Sequence, residues 1–508
     1  MVVSCSTVGG VASRDPGQSV PITGSATPPR DPAITSPSPS STAPSLPPTS
    51  PSSAGVDGST GAAGIGDPYY PESGNGGYDV AGYDVTISYD PASNRLEGRT
   101  TVSATVTATQ RLGRFNLDLQ PTMKVSAVSV NGQPAGFGQH DAELVITPGR
   151  GLEPGADLTV QVSYAGQPAP IEGGTANLGD GGWYRTASGG AVAIGEPFSA
   201  SAWYPVNEHP ADPATFTVTA TVPAEWKVIS NGIQSTKDLP AAPAGQQVSR
   251  WVQSKPIASY LTTIYIDKFT LVTDKLDDGR PIVSAIAPSK QAAQDRKLAG
   301  VTKNVVEVLS KHFGDYPFDA VGGIYTGENV SFALETATRP VYADWVDEET
   351  VIHELAHQWF GDDVMIKRWS DICLNECFAS YAPWLYYAEV EGVDLDATWV
   401  RQFGQVVGDA DFWSSPLVNM GAGNEFGAVY NRGPLAMHAL RKEMGEKAFG
   451  TMLSGWVKTN AGKNVSFDEW VTYVNKVAGK DLTPFIDAWF RGTTAPADQF
   501  RHPGGLGR

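Results

Sequence analysis

The sequence has few cysteines, fewer basic than acidic residues, and no long apolar run. Three cysteines in 508 residues, Cys5, Cys373 and Cys377, exclude a disulfide framework. No uninterrupted run reaches the length of about 18 apolar residues that a membrane-spanning helix needs. Lysine and arginine total 36 against 54 aspartates and glutamates, a formal net charge of −18. This argues against nucleic acid or an anionic membrane surface as a partner, because both are bound through basic patches.

Two of the three cysteines, Cys373 and Cys377, stand four positions apart. In a regular helix their Cβ atoms would lie about 6 Å apart, which is too far for an unstrained bridge. We therefore expect two small buried thiols.

The first 66 residues are predicted to form a disordered, partly extended segment. Serine, proline, threonine, glycine and alanine dominate it, as in SPSPSSTAPSLPPTSPSSAG, and such a composition cannot bury enough apolar surface to fold. Val2-Val3-Ser4-Cys5 resembles the end of a bacterial lipoprotein signal, although the charged and apolar regions of such a signal are missing. Two interpretations stay open. One is an extracytoplasmic, secreted or membrane-anchored protein with a lipid tether on Cys5, and the other is a plain disordered tail.

Residues 67–269 are predicted to form an antiparallel β-sandwich. Apolar side chains alternate at Val85, Ile87 and Tyr89, and similar runs recur through LTVQVSY, FTVTATV and YLTTIYI. Turn signals such as DPASN at 90–94 and NGQ at 131–133 separate the runs. A two-residue period with regular turns is typical of a sandwich.

Residues 270–508 are predicted to form a mostly helical α+β domain with a small sheet near its start. The apolar period lengthens within 291–313, which predicts an amphipathic helix. Its apolar face holds Leu298, Val301, Val305, Val308 and Leu309.

The stretch HELAH at 353–357 is the first candidate site. Asp347 can cap a helix that Gly361 would end. His353 and His357, one turn apart, would then place their rings about 5–6 Å apart on one face, able to share one metal ion. Glu354 beside them could reach a metal-bound water. The alternative is a solvated helix face that carries two histidines.

A catalytic zinc needs a third protein ligand and an open fourth position. Glu376 follows His357 after eighteen intervening residues, in NECFASY, which begins another helical pattern. It is the natural third ligand, and the alternative is a surface glutamate on that helix.

Together these motifs resemble the aminopeptidase N-like zinc metallopeptidases, the gluzincins with HExxH and a glutamate after eighteen residues. SFALETATRP (331–340) is similar to the family's exopeptidase motif, and VYNRGPLAMHAL (429–440) to the segment with its transition-state tyrosine. EPFSASAWYPVNEHPADPATF (196–216) is similar to the sandwich segment that precedes the catalytic domain. The resemblance extends over about 67–500 and implies a thermolysin-like catalytic domain.

The resemblance implies one Zn²⁺ per chain, held by His353, His357 and Glu376. Glu354 would be the general base, and Tyr430 would donate a hydrogen bond to the oxyanion. From the residues alone, a core tyrosine before a helix is equally compatible with Tyr430.

The resemblance also implies a substrate-binding role for Glu335, Glu196 and Ala333. Two glutamates would bind the α-ammonium of the substrate, and the segment around Ala333 would be an edge strand that pairs with the substrate backbone. Leu334 and Thr336 replace the methionine and asparagine of the family's motif, which leaves side-chain specificity open.

Three functions remain in competition. The first is a zinc aminopeptidase that acts as a monomer on peptide or protein N-termini. The second is an endopeptidase or dipeptide-releasing peptidase with an open cleft, since the large helical C-terminal domain of longer family members is missing. The third is a catalytically weak surface protein that captures peptides.

Overall fold

Strands account for most of the structure before residue 290. The computed structural model describes residues 58–175 and 178–507, and residues 1–57 of the predicted tether, including Cys5, lie outside them. For residues 58–66 the prediction of disorder is wrong, because Ser59–Thr60 forms a short strand that pairs with Leu112–Asp118. In chain order the strands are β1 (Ser59–Thr60), β2 (Tyr78–Asp90), β3 (Arg95–Val106), β4 (Leu112–Asp118), β5 (Met123–Val130), β6 (Gln133–Pro134), β7 (Gly136–His140), β8 (Glu143–Thr147), β9 (Asp157–Gly166), β10 (Pro170–Thr175), β11 (Gly179–Arg185), β12 (Ala191–Ile194), β13 (Ala214–Pro223), β14 (Lys227–Ser230), β15 (Ile233–Gln234), β16 (Gln246–Ile257), β17 (Ile264–Asp267), β18 (Thr270–Lys275) and β19 (Pro281–Ile286).

These strands up to β17 form three sheets. The largest has the order β15-β16-β13-β2-β3-β9-β5-β6, and the others are β10-β11-β12-β17-β14 and β1-β4-β8-β7. In β2 the side chains of Val85, Ile87 and Tyr89 are at most 1% exposed, whereas Thr86 and Ser88 face solvent. The predicted alternation is confirmed, because one face of the sheet lies on the core.

Aromatic contacts join the sheets face to face. The Trp183 ring of β11 meets Tyr89 of β2 edge-on with centroids 5.1 Å apart, and Phe115 of β4 meets Tyr78 of β2 at 5.6 Å. Within residues 67–269 one pairing departs from the predicted antiparallel sandwich, since β2 and β13 run parallel. More than a hundred residues of chain separate these two strands, so no hairpin turn forces them to be antiparallel.

Helices dominate the structure after β19, as predicted. In chain order the elements are α1 (Ala292–Phe313), β20 (Ile324–Tyr325), β21 (Val341–Tyr342), α2 (Glu348–Ala356), β22 (Val364–Ile366), α3 (Cys373–Glu391), α4 (Leu395–Val406), α5 (Ala410–Trp413), α6 (Val429–Met444), α7 (Glu446–Asn460), β23 (Lys463–Val465), α8 (Phe467–Ala478), α9 (Thr483–Ile486) and α10 (Asp498–Arg501). β18 to β21 form the small sheet, in chain order, and β22 pairs with β23.

Helix α1 has the amphipathic character that its sequence predicts. Leu298, Val305, Val308 and Leu309 are buried, and Val301 is half-buried at the margin of that face. None of the helices in the described part of the chain is long and apolar enough to cross a bilayer.

Candidate metal centre and substrate cleft

Helix α2 places both histidines on one face. The Asp347 side chain caps it by accepting a hydrogen bond from the Thr350 N–H at 2.9 Å. The helix ends at Ala356 rather than near Gly361, so the predicted end is wrong by several residues. The chain turns back early because the Asp362 N–H bonds to the His357 carbonyl at 3.0 Å. His357 keeps helical backbone angles at the cap, which preserves its alignment with His353.

The two imidazoles and the Glu376 carboxylate converge on one point. The Nε2 atoms of His353 and His357 are 3.0 Å apart. Glu376 Oε2 lies 3.3 Å from the first of these nitrogens and 3.6 Å from the second. The structure therefore brings together the three side chains that the sequence predicts as ligands.

Helix α3 presents Glu376 in its first turn, next to a disulfide that joins Cys373 to Cys377. The prediction of two free thiols is wrong. Their Cα atoms are only 4.8 Å apart, within the range that a disulfide spans. A regular helix would hold Cα atoms four residues apart at about 6 Å, so the two cysteines are closer together than their spacing in a regular helix predicts.

The donor set fits a zinc ion. Two imidazole nitrogens and one carboxylate oxygen are ligands that zinc prefers, and three protein ligands leave a position for water or substrate. Glu376 Oε2 is buried without a hydrogen-bond partner among the described residues, as expected of an atom reserved for a metal. His357 Nδ1 lies 3.0 Å from the Phe360 carbonyl. That carbonyl requires the proton on Nδ1, which leaves the Nε2 lone pair for the ion.

Three further carboxylates surround this cluster. Glu335, Glu354 and His357 offer atoms within 4.8 Å of one another, and so do Glu196, Glu335 and Glu376. Glu196, Glu335 and Glu354 are each at most 5% exposed. Buried negative charges this close repel one another, so bound cations would stabilise the site. A metal ion and a positively charged group of the substrate are two such cations.

Glu335 is fixed by residues that the sequence did not single out. The Tyr260 hydroxyl donates to Glu335 Oε1 at 3.3 Å, and Gln358 Nε2 donates to the Glu335 main-chain carbonyl at 3.1 Å. Gln358 directly follows His357, just beyond the end of α2, and this position beside the motif was a usable signal. Tyr260 lies in the sandwich region with no motif around it, and only the fold brings it to the site.

Glu196 enters the site from the loop after β12. Its peptide bond to Pro197 is cis, and the next residues are held by the buried Glu208. One Glu208 oxygen accepts hydrogen bonds from the N–H groups of Ser199 and Ala200 at 2.8 and 2.6 Å. One Glu196 oxygen is buried without a hydrogen-bond partner in the described structure.

The protonation states follow from this crowding. Burial raises the pKa of Glu196 and of Glu354 well above the usual range, and the neighbouring carboxylates add to the shift. Burial acts in the same direction on Glu376, but the two histidines outweigh it and lower the pKa of Glu376 to about 2. Glu376 is thus an ionised ligand. Burial and the nearby carboxylates also raise the pKa of the Tyr430 phenol, which keeps it protonated.

Tyr430 lies over the metal-ligand cluster, with its ring centroid 5.8 Å from that of His353. It occupies the first turn of α6. A Cβ at Gly433, one turn further on, would lie only 3.1 Å from Cys377 Cα. The glycine therefore allows α6 to approach α3 closely, and this approach brings the phenol over the site.

The segment around Ala333 is an edge, as predicted, but not a full strand. Leu334 makes a single antiparallel bridge to Val341, with N···O distances of 3.0 and 2.7 Å. Ala333, the preceding residue, makes no main-chain hydrogen bond within the described structure. Adjacent residues of an extended chain direct these groups to opposite sides, so those of Ala333 face away from β21.

Known proteins share both halves of this structure. The sequence profile of the Peptidase M1 N-terminal domain matches residues 80–261, and that of the Peptidase family M1 domain matches residues 321–489. Aminopeptidase N of Streptomyces lividans is 26% identical over 316 residues, which are 56% of this chain and 36% of that protein. Probable aminopeptidase 2 of Sulfurisphaera tokodaii is 23% identical over 397 residues, 72% of this chain and 48% of that protein. The chain thus spans between about a third and a half of these curated relatives.

A solved structure matches over its whole length. The M1 zinc metallopeptidase of Deinococcus radiodurans superimposes with a TM-score of 0.77 at 31% identity, covering 85% of this chain and 99% of that one. A mutant of the Deinococcus enzyme has been solved with a Tyr-Ser-Ala substrate, and it matches with a TM-score of 0.76. Two matching domains and a convergent ligand set lead to one conclusion: the chain belongs to the zinc metallopeptidases of peptidase family M1.

Proposed function

We propose that this protein is an aminopeptidase that removes residues from the free amino terminus of peptides. The observation that carries the proposal is the pair Glu196 and Glu335, whose carboxylate atoms lie within 4.8 Å of each other and of Glu376. Two buried carboxylates can hold one ammonium group by charge-assisted hydrogen bonds. An ammonium held there sets the first peptide bond of the substrate beside the metal ligands.

His353, His357 and Glu376 would hold the zinc ion. When bound, zinc supplies Lewis-acid polarisation of the scissile carbonyl and a more acidic water. Glu354 accepts the proton of the attacking water and returns it to the nitrogen of the leaving amine. The Tyr430 hydroxyl donates a hydrogen bond to the oxyanion. The main-chain groups of Ala333 pair with the substrate backbone and align it along the cleft.

The same proposal includes a location outside the cytoplasm and a monomeric state. The Cys373–Cys377 disulfide supports the location, because disulfides persist in oxidising compartments. Cys5 would carry the lipid of a membrane anchor. Mass spectrometry of the protein purified from its native membrane would detect an acylated Cys5, and an unmodified Cys5 would contradict the anchor. Light scattering on the purified chain would test the monomer.

The activity is tested with leucine p-nitroanilide and its N-acetylated form, offered to the zinc-loaded protein. We expect release of p-nitroaniline from the free amine alone. Cleavage of both forms at similar rates would favour the endopeptidase alternative. Binding of the free amine without turnover would favour the peptide-capturing alternative.

A further inference from the structure

Tyr260 connects the proposed ammonium site to the helix that carries the third metal ligand. Its hydroxyl donates to Glu335 Oε1 at 3.3 Å and accepts a hydrogen bond from Asn375 Nδ2 at 3.4 Å. Asn375 directly precedes Glu376 in the first turn of α3. Asn375, Tyr260 and Glu335 therefore form a hydrogen-bonded relay between two parts of the site that lie far apart in the sequence.

The relay is shielded from water. Its three side chains, Tyr260, Glu335 and Asn375, are each at most 2% exposed. The Tyr260 ring packs against Trp369 with centroids 5.4 Å apart. Space beside the Asn375 amide is so limited that a Cβ at Gly361 would lie 3.2 Å from Nδ2. Because the groups are buried and closely packed, bulk water does not compete for their hydrogen bonds.

The relay sets the direction of the Tyr260 proton. A tyrosine hydroxyl has one proton to donate, whereas an ionised carboxylate only accepts and an amide NH₂ group only donates. Asn375 therefore occupies an acceptor position of the phenol oxygen, and the phenol proton is left for Glu335. A carboxylate has about four acceptor positions, so this single hydrogen bond orients Glu335 and leaves it able to accept from an ammonium group.

Main-chain contacts hold the two sides of the relay together. The Ala337 N–H bonds to the Leu261 carbonyl at 3.1 Å. Asn231 Nδ2 donates to the carbonyls of Leu261 and Ala337, at 2.9 and 2.7 Å. The turn that carries Tyr260 and the segment that carries Glu335 are thus fixed against each other, one residue from the tyrosine and two from the glutamate.

We propose that Tyr260 is a positioning residue that holds the Glu335 carboxylate at a fixed place relative to the metal ligand Glu376. The separation of these two carboxylates matters, because it determines which peptide bond of a bound amino terminus lies beside the metal ligands. Without the Tyr260 hydroxyl, the Glu335 carboxylate could turn, and it would hold the ammonium less tightly. This inference rests on the proposed aminopeptidase function.

The test is a double-mutant cycle of Tyr260→Phe and Glu335→Gln, with kcat and KM measured for leucine p-nitroanilide on the zinc-loaded full chain. Tyr260→Phe keeps the ring and removes the hydroxyl. We expect kcat/KM to fall about tenfold, mostly through a higher KM, because a hydrogen bond to a charged group is lost. In the Glu335→Gln background the same change should cost less than about twofold, since the phenol acts through the Glu335 charge.

Two further variants make the comparison specific. Tyr265→Phe is the matched control, because it removes another buried hydroxyl that donates to a carboxylate, Asp267 Oδ2 at 3.1 Å, and it should leave kcat and KM unchanged. Tyr260→Phe leaves the Asn375 amide without its acceptor and could fold poorly for that reason. The joint variant Tyr260→Phe, Asn375→Leu removes both partners, which costs little stability, and the same rise in KM is expected.

Two results would overturn the inference and leave the aminopeptidase function intact. Equal losses from Tyr260→Phe in both backgrounds would make the tyrosine a structural residue. An unchanged KM in Tyr260→Phe and in the joint variant would mean that the hydroxyl does not position Glu335. An undiminished kcat/KM in Glu335→Gln alone would instead overturn the proposed amino-terminal anchor, and the inference with it.

Discussion

Replacing Glu335 with glutamine removes a proposed ammonium ligand with almost no change of shape. Glu335 is 2% exposed, and a glutamine carbonyl can still accept the Tyr260 hydrogen bond. Loss of one partner from a buried, hydrogen-bonded charge pair costs about 2–5 kcal/mol. Because Glu196 remains to share the ammonium, we expect the lower end of this range. At about 1.4 kcal/mol per factor of ten, kcat/KM should fall roughly 30- to 100-fold.

The assay measures kcat/KM of Glu335→Gln for a free-amine peptide and the inhibition constant of its N-acetylated form, which the enzyme should bind without cleaving it, with the zinc content of each preparation checked. The loss should fall on the free-amine form alone. Glu328→Gln is a matched control, since Glu328 lies seven residues earlier, is half-buried and accepts a hydrogen bond from the Ala187 N–H at 2.7 Å. Proportional losses on both peptide forms, or a loss below about threefold on the free amine, would refute the anchoring role.

Four further predictions concern single groups. Glu354→Gln should keep its zinc and hydrolyse peptide about 10²- to 10⁴-fold more slowly in single-turnover assays; an unchanged rate of hydrolysis would contradict the general-base role. Tyr430→Phe should lower kcat by about 10²- to 10³-fold with KM nearly unchanged; a change in KM alone would make it a binding residue. Joint replacement of Cys373 and Cys377 by serine should weaken zinc binding about 10- to 100-fold, measured by chelator competition, because the disulfide braces the turn that carries Glu376; unchanged affinity would make it a purely structural link. Burial lowers the pKa of His438 from 6.5 to about 4, so its imidazole is neutral in the folded protein. Above pH 6.5 it is neutral in the unfolded chain as well, and the free energy of unfolding then carries no penalty from it. Between pH 6.5 and 4 the unfolded chain takes up a proton that the folded protein does not, so the free energy of unfolding should fall by about 3 kcal/mol. Urea unfolding should show the wild type losing stability relative to His438→Gln over this range, and a constant stability difference between the two would contradict the prediction.

Patterns that repeat along the chain predict much of the fold. The alternation through Val85, Ile87 and Tyr89 is buried on one side because a strand directs successive side chains to opposite faces. The helical period around Leu298 and Val305 predicts α1, because residues three to four positions apart lie on one face of a helix. Pairing directions are not encoded locally, so the parallel neighbours β2 and β13 could not be predicted in this way.

The site residues also form two groups, those that local sequence patterns predict and those that only the tertiary fold brings to the site. Ligands at fixed spacing, His353, His357 and Glu376, follow from helix geometry and the family motif. Tyr260 comes to the site only through the tertiary fold, which sets its hydroxyl 3.3 Å from Glu335 Oε1. The disulfide is not predicted by regular helix spacing, because the Cα atoms of Cys373 and Cys377 are only 4.8 Å apart. Local rules therefore fail here where the chain departs from ideal geometry beside a functional group.

An aminopeptidase requires the free amino terminus of its substrate and removes residues from that end. Mass spectrometry of products from one peptide of about ten residues, sampled over time with the zinc-loaded wild type, tests this requirement. We predict a ladder that loses one residue at a time from the amino end, and no products when that end is acetylated. Internal fragments from the acetylated peptide, or a ladder with steps of two residues, would contradict the account.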